Sequence, residues 1–228
     1  NNDFTGDVWS SYSNLPNLEE IYVGHNNCNI SNTDFSGFSG LKSLDISKLN
    51  LTEIPASLGS LQKLSSLNVS NNAIVSFSNL SSLNQLQELN LANNNLNKVP
   101  SEIINFISLK SLDLSNNIIT DFSSLSNLIN LEWLSLENNS LQNIPNQVSN
   151  LQKLIHLNLG RNKINGSTSI LGTLNHLQQL WLNHNKLSGN IPQDLLALPN
   201  LMCLSLQSNE LEGTIPNNIP QICNISNN

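Results

Sequence analysis

A single eleven-residue phrase recurs along this chain and constrains its fold more than any other feature. Its clearest copy, at residues 109–119, reads LKSLDLSNNII, with apolar residues at places one, four, six and eleven and asparagine at place nine. Nine copies follow one another every 22 to 24 residues, beginning at Leu18, Leu41, Leu64, Leu86, Leu109, Leu131, Leu154, Leu177 and Leu201. A fixed period of this length indicates stacked structural units rather than an ordinary globular core.

The apolar alternation inside each phrase predicts a short β-strand. Successive side chains of a strand point to opposite faces, so Leu112 and Leu114 face one way and Ser111, Asp113 and Ser115 the other. One repeat cannot bury its leucines alone, but stacked repeats bury them against each other. We therefore expect a parallel sheet with one coil of chain per repeat.

The asparagine at place nine has a predicted structural role. Its amide can donate to and accept from backbone groups that the sharp turn after the strand leaves unpaired. The nine ninth places hold Asn26, Leu49, Asn72, Asn94, Asn117, Asn139, Asn162, Asn185 and Asn209. Leu49 breaks this ladder, so we expect a local irregularity there, with Asn50 partly substituting for the missing amide.

The second half of each repeat predicts the structure of the side of the solenoid opposite the sheet. Residues 51–55, 96–100 and 141–145 have the pattern of 23-residue repeats, and residues 75–80 and 120–125 that of 22-residue repeats. Residues 187–192 and 211–216 read L-x-G-x-I-P. Glycine permits positive φ, and proline fixes φ without needing a hydrogen-bond acceptor. We expect short 3₁₀ or extended segments on a convex side, and a sheet curved into a horseshoe.

On these phrases the chain resembles the leucine-rich repeat superfamily. Its L-x-G-x-I-P phrases resemble extracellular members, namely plant receptor-kinase ectodomains, polygalacturonase-inhibiting proteins and cell-surface proteins of amoebae. The 22- and 23-residue repeats also occur in cytosolic scaffolds. This mixture, with the abundant asparagine, favours a protist or another AT-rich genome. The resemblance implies an α/β solenoid whose concave parallel sheet binds proteins, peptides or glycans, without catalysis by the repeats.

We expect residues 1–228 to form one domain of about nine full repeats with partial repeats at both ends. Residues 2–8 resemble the tail of a repeat, and residues 220–228 resemble a tenth, degenerate phrase. No terminal caps are recognisable, so flanking repeats or further copies of the chain could stack on the ends. The net charge of −7 disfavours nucleic-acid binding. No apolar run reaches the roughly 18 residues that a membrane-spanning helix needs.

Few residues could carry chemistry. The four histidines, His25, His156, His176 and His184, do not share a column of the repeat, whereas a metal site needs converging ligands. Serine and aspartate are common filler on the exposed face and form no distinct triad. We therefore predict no metal, no cofactor and no enzymatic activity.

The three cysteines offer at most one disulfide. Cys28 and Cys223 fall at core places about 40 Å apart, too far to bond to each other. Cys203 lies at an exposed place one coil from Cys223, and their side chains should leave opposite faces of the sheet. A bond between them would require a distorted last coil.

Seven N-x-S/T sequons are weak evidence for secretion, because about this number is expected by chance in so asparagine- and serine-rich a chain. They are Asn29, Asn50, Asn68, Asn79, Asn138, Asn165 and Asn224. Glycans on Asn68 or Asn138 would block the middle of the concave face.

A candidate ligand patch lies in the C-terminal half of the concave face. The middle repeats carry mostly serine and asparagine there, whereas the later ones carry large aromatic and charged residues, the types that dominate binding hot spots. The patch comprises Glu132, Trp133, Glu137, His156, Arg161, Gln179, Trp181, His184 and Met202. The alternative is that the two tryptophans merely cover the stems of neighbouring side chains. Tyr22, with Glu19 and Glu20, is a lesser candidate near the N-terminal end.

The sequence is compatible with three functions. The first is a recognition module of a cell-surface or secreted protein that binds a protein, peptide or glycan on its concave face. The second is a structural protein that self-associates through its ends into a filament or coat. The third is a cytoplasmic scaffold.

Overall fold

Each of the nine phrases forms a short strand at its third to fifth places. The computed structural model describes residues 5–6, 15–77, 80–214 and 222–224. The nine strands are Glu20–Tyr22, Ser43–Asp45, Ser66–Asn68, Glu88–Asn90, Ser111–Asp113, Trp133–Ser135, His156–Asn158, Gln179–Trp181 and Cys203–Ser205. With Ile222–Asn224 they form a ten-stranded parallel sheet, in chain order, within the described part of the chain. The expected solenoid is confirmed, and we call this sheet the concave sheet.

The nine strands pair in exact step, so equal places of neighbouring phrases lie side by side. Leu89 pairs with Leu112, Leu112 with Leu134, and Leu134 with Leu157. The leucines at this place are fully buried, as are those at places one and six of the central phrases. Stacking of identical places therefore builds one continuous hydrophobic core behind the sheet.

The side opposite the sheet carries one short helical turn in most of the repeats. Five turns are 3₁₀-helices: Ala56–Ser60, Ser101–Asn105, Ser123–Asn127, Asn146–Asn150 and Ser169–Thr173. A single α-helical turn, Gln193–Leu196, follows the first L-x-G-x-I-P phrase. Each of these six turns buries one apolar side chain, such as Ile103 or Leu195, against the core. The expectation of short 3₁₀ segments on the convex side is confirmed.

The asparagine ladder is present from Asn72 to Asn209. Asn117 is typical: its Nδ2 donates to Leu114 O at 3.1 Å in its own coil and to Leu91 O at 3.0 Å in the preceding coil. Its Oδ1 accepts the backbone N–H of Leu96 at 3.0 Å. The amide thus bonds the turn of one coil to the next and satisfies buried backbone groups, as predicted.

The ladder is irregular at Leu49, as expected, but Asn50 does not replace the missing amide. Leu49 is buried, whereas the side chain of Asn50 is exposed and its backbone takes a φ of 59°. Asn72, the next ladder residue, keeps its usual bonds to this coil, because its Oδ1 accepts from Leu49 N and Leu51 N at 3.0 Å.

Two minor two-stranded sheets accompany the concave sheet among the described residues. Thr5–Gly6 pairs in parallel with Asn27–Cys28, and Ser188–Gly189 with Glu210–Leu211. The last strand of the concave sheet, Ile222–Asn224, pairs irregularly, because the register shifts between Leu204 and Ser205 of its neighbour. Within the described ranges, no helix has the length and apolar character needed to cross a membrane.

Of the three cysteines, the structure describes the side chains of two, one a buried thiol and the other disulfide-bonded. Cys28 is a free thiol inside the core, and burial raises the pKa of its side chain above the ordinary value. Cys203 is disulfide-bonded. The side chain of Cys223 lies outside the described residues.

Candidate functional site

Places two, three, five, seven and eight of each phrase face away from the core and form columns across the concave sheet. We number the columns by these places, so that column 3 runs through Ser111 and Trp133 and column 5 through Asp113 and Ser135. A surface feature in one column therefore continues on the neighbouring strand about 4.8 Å away.

The residues predicted to bind a ligand lie on four consecutive strand phrases and form one surface, here called the aromatic patch. In column 3, Trp133 pairs with His156, and His156 pairs with Gln179. Trp181 lies in column 5 next to Asn158. The full patch is Glu132, Trp133, Glu137, His156, Arg161, Gln179, Trp181, His184 and Met202. The structure brings these residues together, and their role in binding stays a prediction.

The large side chains of the aromatic patch retain accessible surface. Trp133, His156 and Trp181 are part-exposed, and Met202 is 63% exposed. The tryptophans can therefore cover neighbouring stems and still contact a ligand with their free surface.

Glu137 connects two strands of the patch. Its Oε1 lies 3.2 Å from Arg161 Nε, and its Oε2 accepts a hydrogen bond from Asn158 Nδ2 at 3.0 Å. This exposed ion pair adds at most about 1 kcal/mol to stability. Its main effect is to restrict where the Arg161 side chain lies at the edge of the patch.

Column 8 has left-handed backbone in every phrase, a feature the sequence reasoning missed. The residues are His25, Lys48, Asn71, Asn93, Asn116, Asn138, Arg161, His184 and Ser208, with φ between 52° and 61°. Asparagine tolerates this conformation better than most non-glycine residues, and the four central repeats use it. The long side chains of Lys48 and Arg161 are less suited to this conformation than asparagine.

Column 5 mostly holds short polar residues whose side chains hydrogen-bond to the backbone of the turn after the strand. The Oδ1 atoms of Asp45, Asn90 and Asp113 each accept the backbone N–H two residues later, at 2.9, 3.0 and 2.9 Å. Trp181 and Tyr22 replace this turn-capping residue type in their own phrases. Because an aromatic ring cannot accept this bond, these two positions depart from the local structural rule, as functional positions often do.

Tyr22 lies at the opposite end of the sheet from the aromatic patch. It is 65% exposed, and its hydroxyl donates to Glu20 Oε2 at 3.2 Å. Glu19, in column 2, pairs with Lys42 Nζ at 2.6 Å. The structure thus places Tyr22 in a separate, smaller polar cluster.

The middle of the concave sheet contains an open cleft of about 380 Å³ that ends at Trp133. Its polar lining includes Glu88, Asn90 and Asp113. The sequence reasoning treated Asp113 and the middle strands as filler and did not single out Glu88. The signal that could have identified this region is the complete lack of lysine and arginine in columns 3 and 5 of the nine phrases. A larger depression of 890 Å³ lies away from the concave face, along residues 119–122, 140–147 and 167–170.

The sequons differ in accessibility. Asn29, Asn50, Asn138 and Asn165 are exposed. The Nδ2 of Asn68 donates to Asp45 Oδ2 at 3.0 Å, so a glycan there would have to break an inter-coil bond. Asn79 and the side chain of Asn224 lie outside the described residues. Use of any sequon stays a prediction.

The histidines outside the patch do not add a metal site. The Nδ1 of His176 lies 2.9 Å from Gln152 O of the preceding coil. Across the described ranges, no group of three or more histidine, cysteine, aspartate or glutamate side chains is arranged to hold a metal ion.

Sequence comparison matches two family models over much of the chain. One, described as "Leucine rich repeat", matches residues 39–96 and 84–141. The other, described as "Leucine Rich Repeat", matches residues 176–198 and 200–222. No curated protein matches the chain by sequence.

Solved structures with the same architecture come from bacteria and plants. An internalin from Listeria monocytogenes, InlF, is 30% identical with a TM-score of 0.75, and the match covers 91% of this chain. The plant peptide hormone receptor RGFR1, in complex with RGF2, is 25% identical with a TM-score of 0.76 over 99% of this chain. The ectodomain of the Arabidopsis thaliana receptor kinase GASSHO1/SCHENGEN3, in complex with CASPARIAN STRIP INTEGRITY FACTOR 2, is 26% identical with a TM-score of 0.67 over 94%. The chain spans 66%, 38% and 30% of these three proteins.

Proposed function

Because this chain belongs to the leucine-rich repeat family, we propose that it is a non-catalytic recognition module that binds its ligand on the concave sheet. The ligand contacts the aromatic patch, with Trp133 and Trp181 as the central anchors and the surrounding charged residues as the polar rim. A peptide, a protein surface or a glycan could each satisfy this arrangement.

The observation that carries the proposal is the contiguity of the aromatic patch. Trp133, His156 and Gln179 lie side by side in column 3, and Trp181 is on the same strand as Gln179. Tryptophan, arginine and large apolar residues contribute most of the binding energy at protein interfaces. Two proteins of similar fold support a role in binding, because RGFR1 and GASSHO1/SCHENGEN3 were each solved in complex with a partner.

The experiment selects ligands on the immobilised chain from a displayed library of random linear twelve-residue peptides, and in parallel from a glycan array. Affinities are then compared for the wild type, Trp133→Ala with Trp181→Ala, and a control that carries Ile107→Ala with Ile129→Ala. The control residues are 62% and 57% exposed and lie outside the strands of the concave sheet. Circular dichroism and thermal unfolding check that all three proteins keep the fold.

We expect the selected ligands to lose at least about tenfold in affinity with the tryptophan variant and to bind the isoleucine control as well as the wild type. The proposal is overturned if the ligands bind the tryptophan variant with unchanged affinity. It is also overturned if neither collection yields a ligand that the wild type binds specifically.

We further propose that the module belongs to a cell-surface or secreted protein. GASSHO1/SCHENGEN3, to which the chain is similar, is a plant membrane receptor kinase. Mass spectrometry of the native protein tests this, because glycans on exposed sequons such as Asn29 or Asn165 form only in the secretory pathway. Absence of glycans from all sequons would favour the cytoplasmic scaffold.

Self-association through stacked ends is the structural alternative. Light scattering of the purified chain separates the two functions. The measured mass of a filament or coat protein increases with protein concentration, whereas that of a recognition module stays at the monomer value. A concentration-dependent mass would favour the structural function.

A further inference from the structure

Resting on the proposed function, we infer that the ligand is an extended basic peptide. It places lysine or arginine side chains over Glu88 and Asp113, and a large apolar side chain on Trp181. We identify this ligand from charge complementarity along the concave sheet. It would contact a second region beside the aromatic patch, here called the acidic cleft and defined by Glu88, Asp113 and Trp133.

The acidic residues of the concave face fall into two groups. Glu19, Glu132 and Glu137 each lie within 4 Å of a cation, pairing with Lys42, Lys110 and Arg161 at 2.6, 3.9 and 3.2 Å. These three occupy columns 2 and 7. The other four, Glu20, Asp45, Glu88 and Asp113, occupy columns 3 and 5 and have no ion-pair partner among the described residues.

The four unpaired carboxylates differ in how far neighbouring groups use them. Asp45 accepts from Ser47 N with one oxygen and from Asn68 Nδ2 with the other. Glu20 accepts from the Tyr22 hydroxyl at the far end of the sheet. The remaining two, Glu88 and Asp113, both line the central cleft.

Glu88 and Asp113 are the carboxylates best placed to receive a cation. Asp113 uses Oδ1 for Ser115 N at 2.9 Å, and its Oδ2 has no partner among the described residues. Glu88 accepts a single hydrogen bond, from Ser66 Oγ at 3.1 Å. Both line the cleft that Trp133 closes, so a basic side chain can meet two carboxylates and the face of an aromatic ring.

The charge of the face changes along the solenoid. Columns 3 and 5 contain four carboxylates from Glu20 to Asp113 and none from Trp133 to Ser205. The second half holds the two tryptophans, together with His156, Arg161 and His184. A ligand lying across the strands therefore meets negative charge first and aromatic surface next.

The strand spacing predicts how the ligand's residues are separated. Asp113 and Trp181 lie three strands apart, or about 14 Å at 4.8 Å per strand, and Glu88 and Trp181 are about 19 Å apart. An extended peptide advances about 3.3 Å per residue. The basic and apolar side chains should therefore be separated by about four to six residues.

The experiment uses defined synthetic peptides with a fluorescent label and a glycine–serine background. The test peptide carries two adjacent arginines and a leucine five residues away, with a sequence-reversed version because the direction of binding is open. Comparison peptides replace the arginines with glutamates, keep only the leucine, or place the leucine next to the arginines. Fluorescence anisotropy measures affinity for the wild type at low and high salt.

The variant Glu88→Gln with Asp113→Asn removes both charges with little structural change. Asparagine already occupies the place of Asp113 in other phrases, and Asn90 makes the same turn-capping bond at 3.0 Å. The matched control, Glu53→Gln with Glu102→Gln, removes two negative charges from outside the concave strands. The Trp133→Ala with Trp181→Ala variant tests the proposed function on the same peptides.

We expect one arginine peptide to bind the wild type best, and its affinity to fall about five- to tenfold in Glu88→Gln with Asp113→Asn at low salt. The control should bind as the wild type does, and high salt should remove the difference. The leucine-only peptide should respond to the tryptophan variant and not to the charge variant.

Two results overturn the inference separately from the proposed function. If the charge variant binds the arginine peptide as well as the wild type while the tryptophan variant still weakens it, the basic-ligand inference is wrong and the aromatic patch stands. If the glutamate peptide binds as tightly as the arginine peptide, the inference is equally wrong. If the tryptophan variant binds every peptide unchanged, the proposed function itself fails.

Discussion

The Oδ1 of Asn117 accepts the backbone N–H of Leu96 in the preceding coil at 3.0 Å, and so ties two repeats together inside the core. The same amide donates to the carbonyls of Leu91 and Leu114. Without this side chain the buried Leu96 N–H would lose its acceptor, whereas the two carbonyls would each keep a second donor, from Asn94 and Asn139. The bond therefore contributes to the stability of the interface between coils.

Asn117→Ala should lower the free energy of unfolding by about 2–4 kcal/mol, because the buried Leu96 N–H loses its acceptor and the hydrogen bonds to Leu91 O and Leu114 O are lost with it. Urea denaturation followed by circular dichroism measures this. The control is Asn97→Ala, an exposed asparagine, which should change stability by less than about 0.5 kcal/mol. Equal stability of the two variants would show that the ladder contributes little.

Lys48→Asn should raise stability by up to about 1 kcal/mol. Lys48 is exposed and has a φ of 53°, a conformation that asparagine adopts at less cost. The control Lys63→Asn changes an exposed lysine with an ordinary backbone and should give no gain. Thermal unfolding of both variants decides the matter, and a lower melting temperature for Lys48→Asn would contradict the strain at column 8.

Gly40→Ala should destabilise the protein by about 2–3 kcal/mol, because the added methyl group overlaps the backbone. A Cβ at this glycine would lie only 2.2 Å from the carbonyl oxygen of Pro16. Gly172→Ala is the matched control, since its Cβ would lie 3.4 Å from Asp194 Cβ, an ordinary contact. Denaturant unfolding should therefore distinguish the two substitutions clearly, and a mild effect at Gly40 would mean that this close approach relaxes easily.

Asp121→Ala should destabilise the protein more at neutral pH than in acid. The backbone N–H of Ser123, 2.9 Å from Asp121 Oδ1, holds the pKa of the carboxyl below its ordinary value of 3.8. A depressed pKa means that the carboxylate stabilises the fold above 3.8 and loses this contribution as the pH falls through its folded-state value.

Unfolding curves of wild type and Asp121→Ala should therefore converge as the pH falls below 3.8. Asp34→Ala should behave in the same way, because Ser36 N donates to Asp34 Oδ1 at 2.9 Å and lowers that pKa. A difference from wild type that stayed constant from neutral to strongly acidic pH would rule out this linkage for either residue.

The repeat architecture was predictable because its determinants are local and recur. The leucine alternation around Leu112 fixed which face of the strand is buried, and nine repetitions fixed the parallel register. The role of Asn117 was predictable for the same reason, since its short amide side chain offers both a donor and an acceptor to the backbone of that turn. The contiguity of Trp133, His156 and Trp181 followed directly from the register.

Other features of the site were not predictable from the phrases. The left-handed backbone at Arg161 and His184 is imposed by the turn after the strand, and the residue types there carry no clear mark of it. Asp113 read as filler and Glu88 was not singled out, because the sequence does not show whether a carboxylate finds a cation in a neighbouring repeat. Asn50 likewise seemed able to replace the missing ladder amide, yet its side chain is exposed.

The sequence by itself therefore determined the solenoid, the strand register and the aromatic patch, because hydrophobic periodicity and backbone hydrogen bonding act within one repeat and its neighbours. Only the tertiary structure decided that Glu137 pairs with Arg161 while Asp113 lines the central cleft without an ion-pair partner among the described residues. The physical reason is that an ion pair depends on the positions of the charged groups at the ends of two flexible side chains from different coils. No periodic sequence pattern specifies those positions.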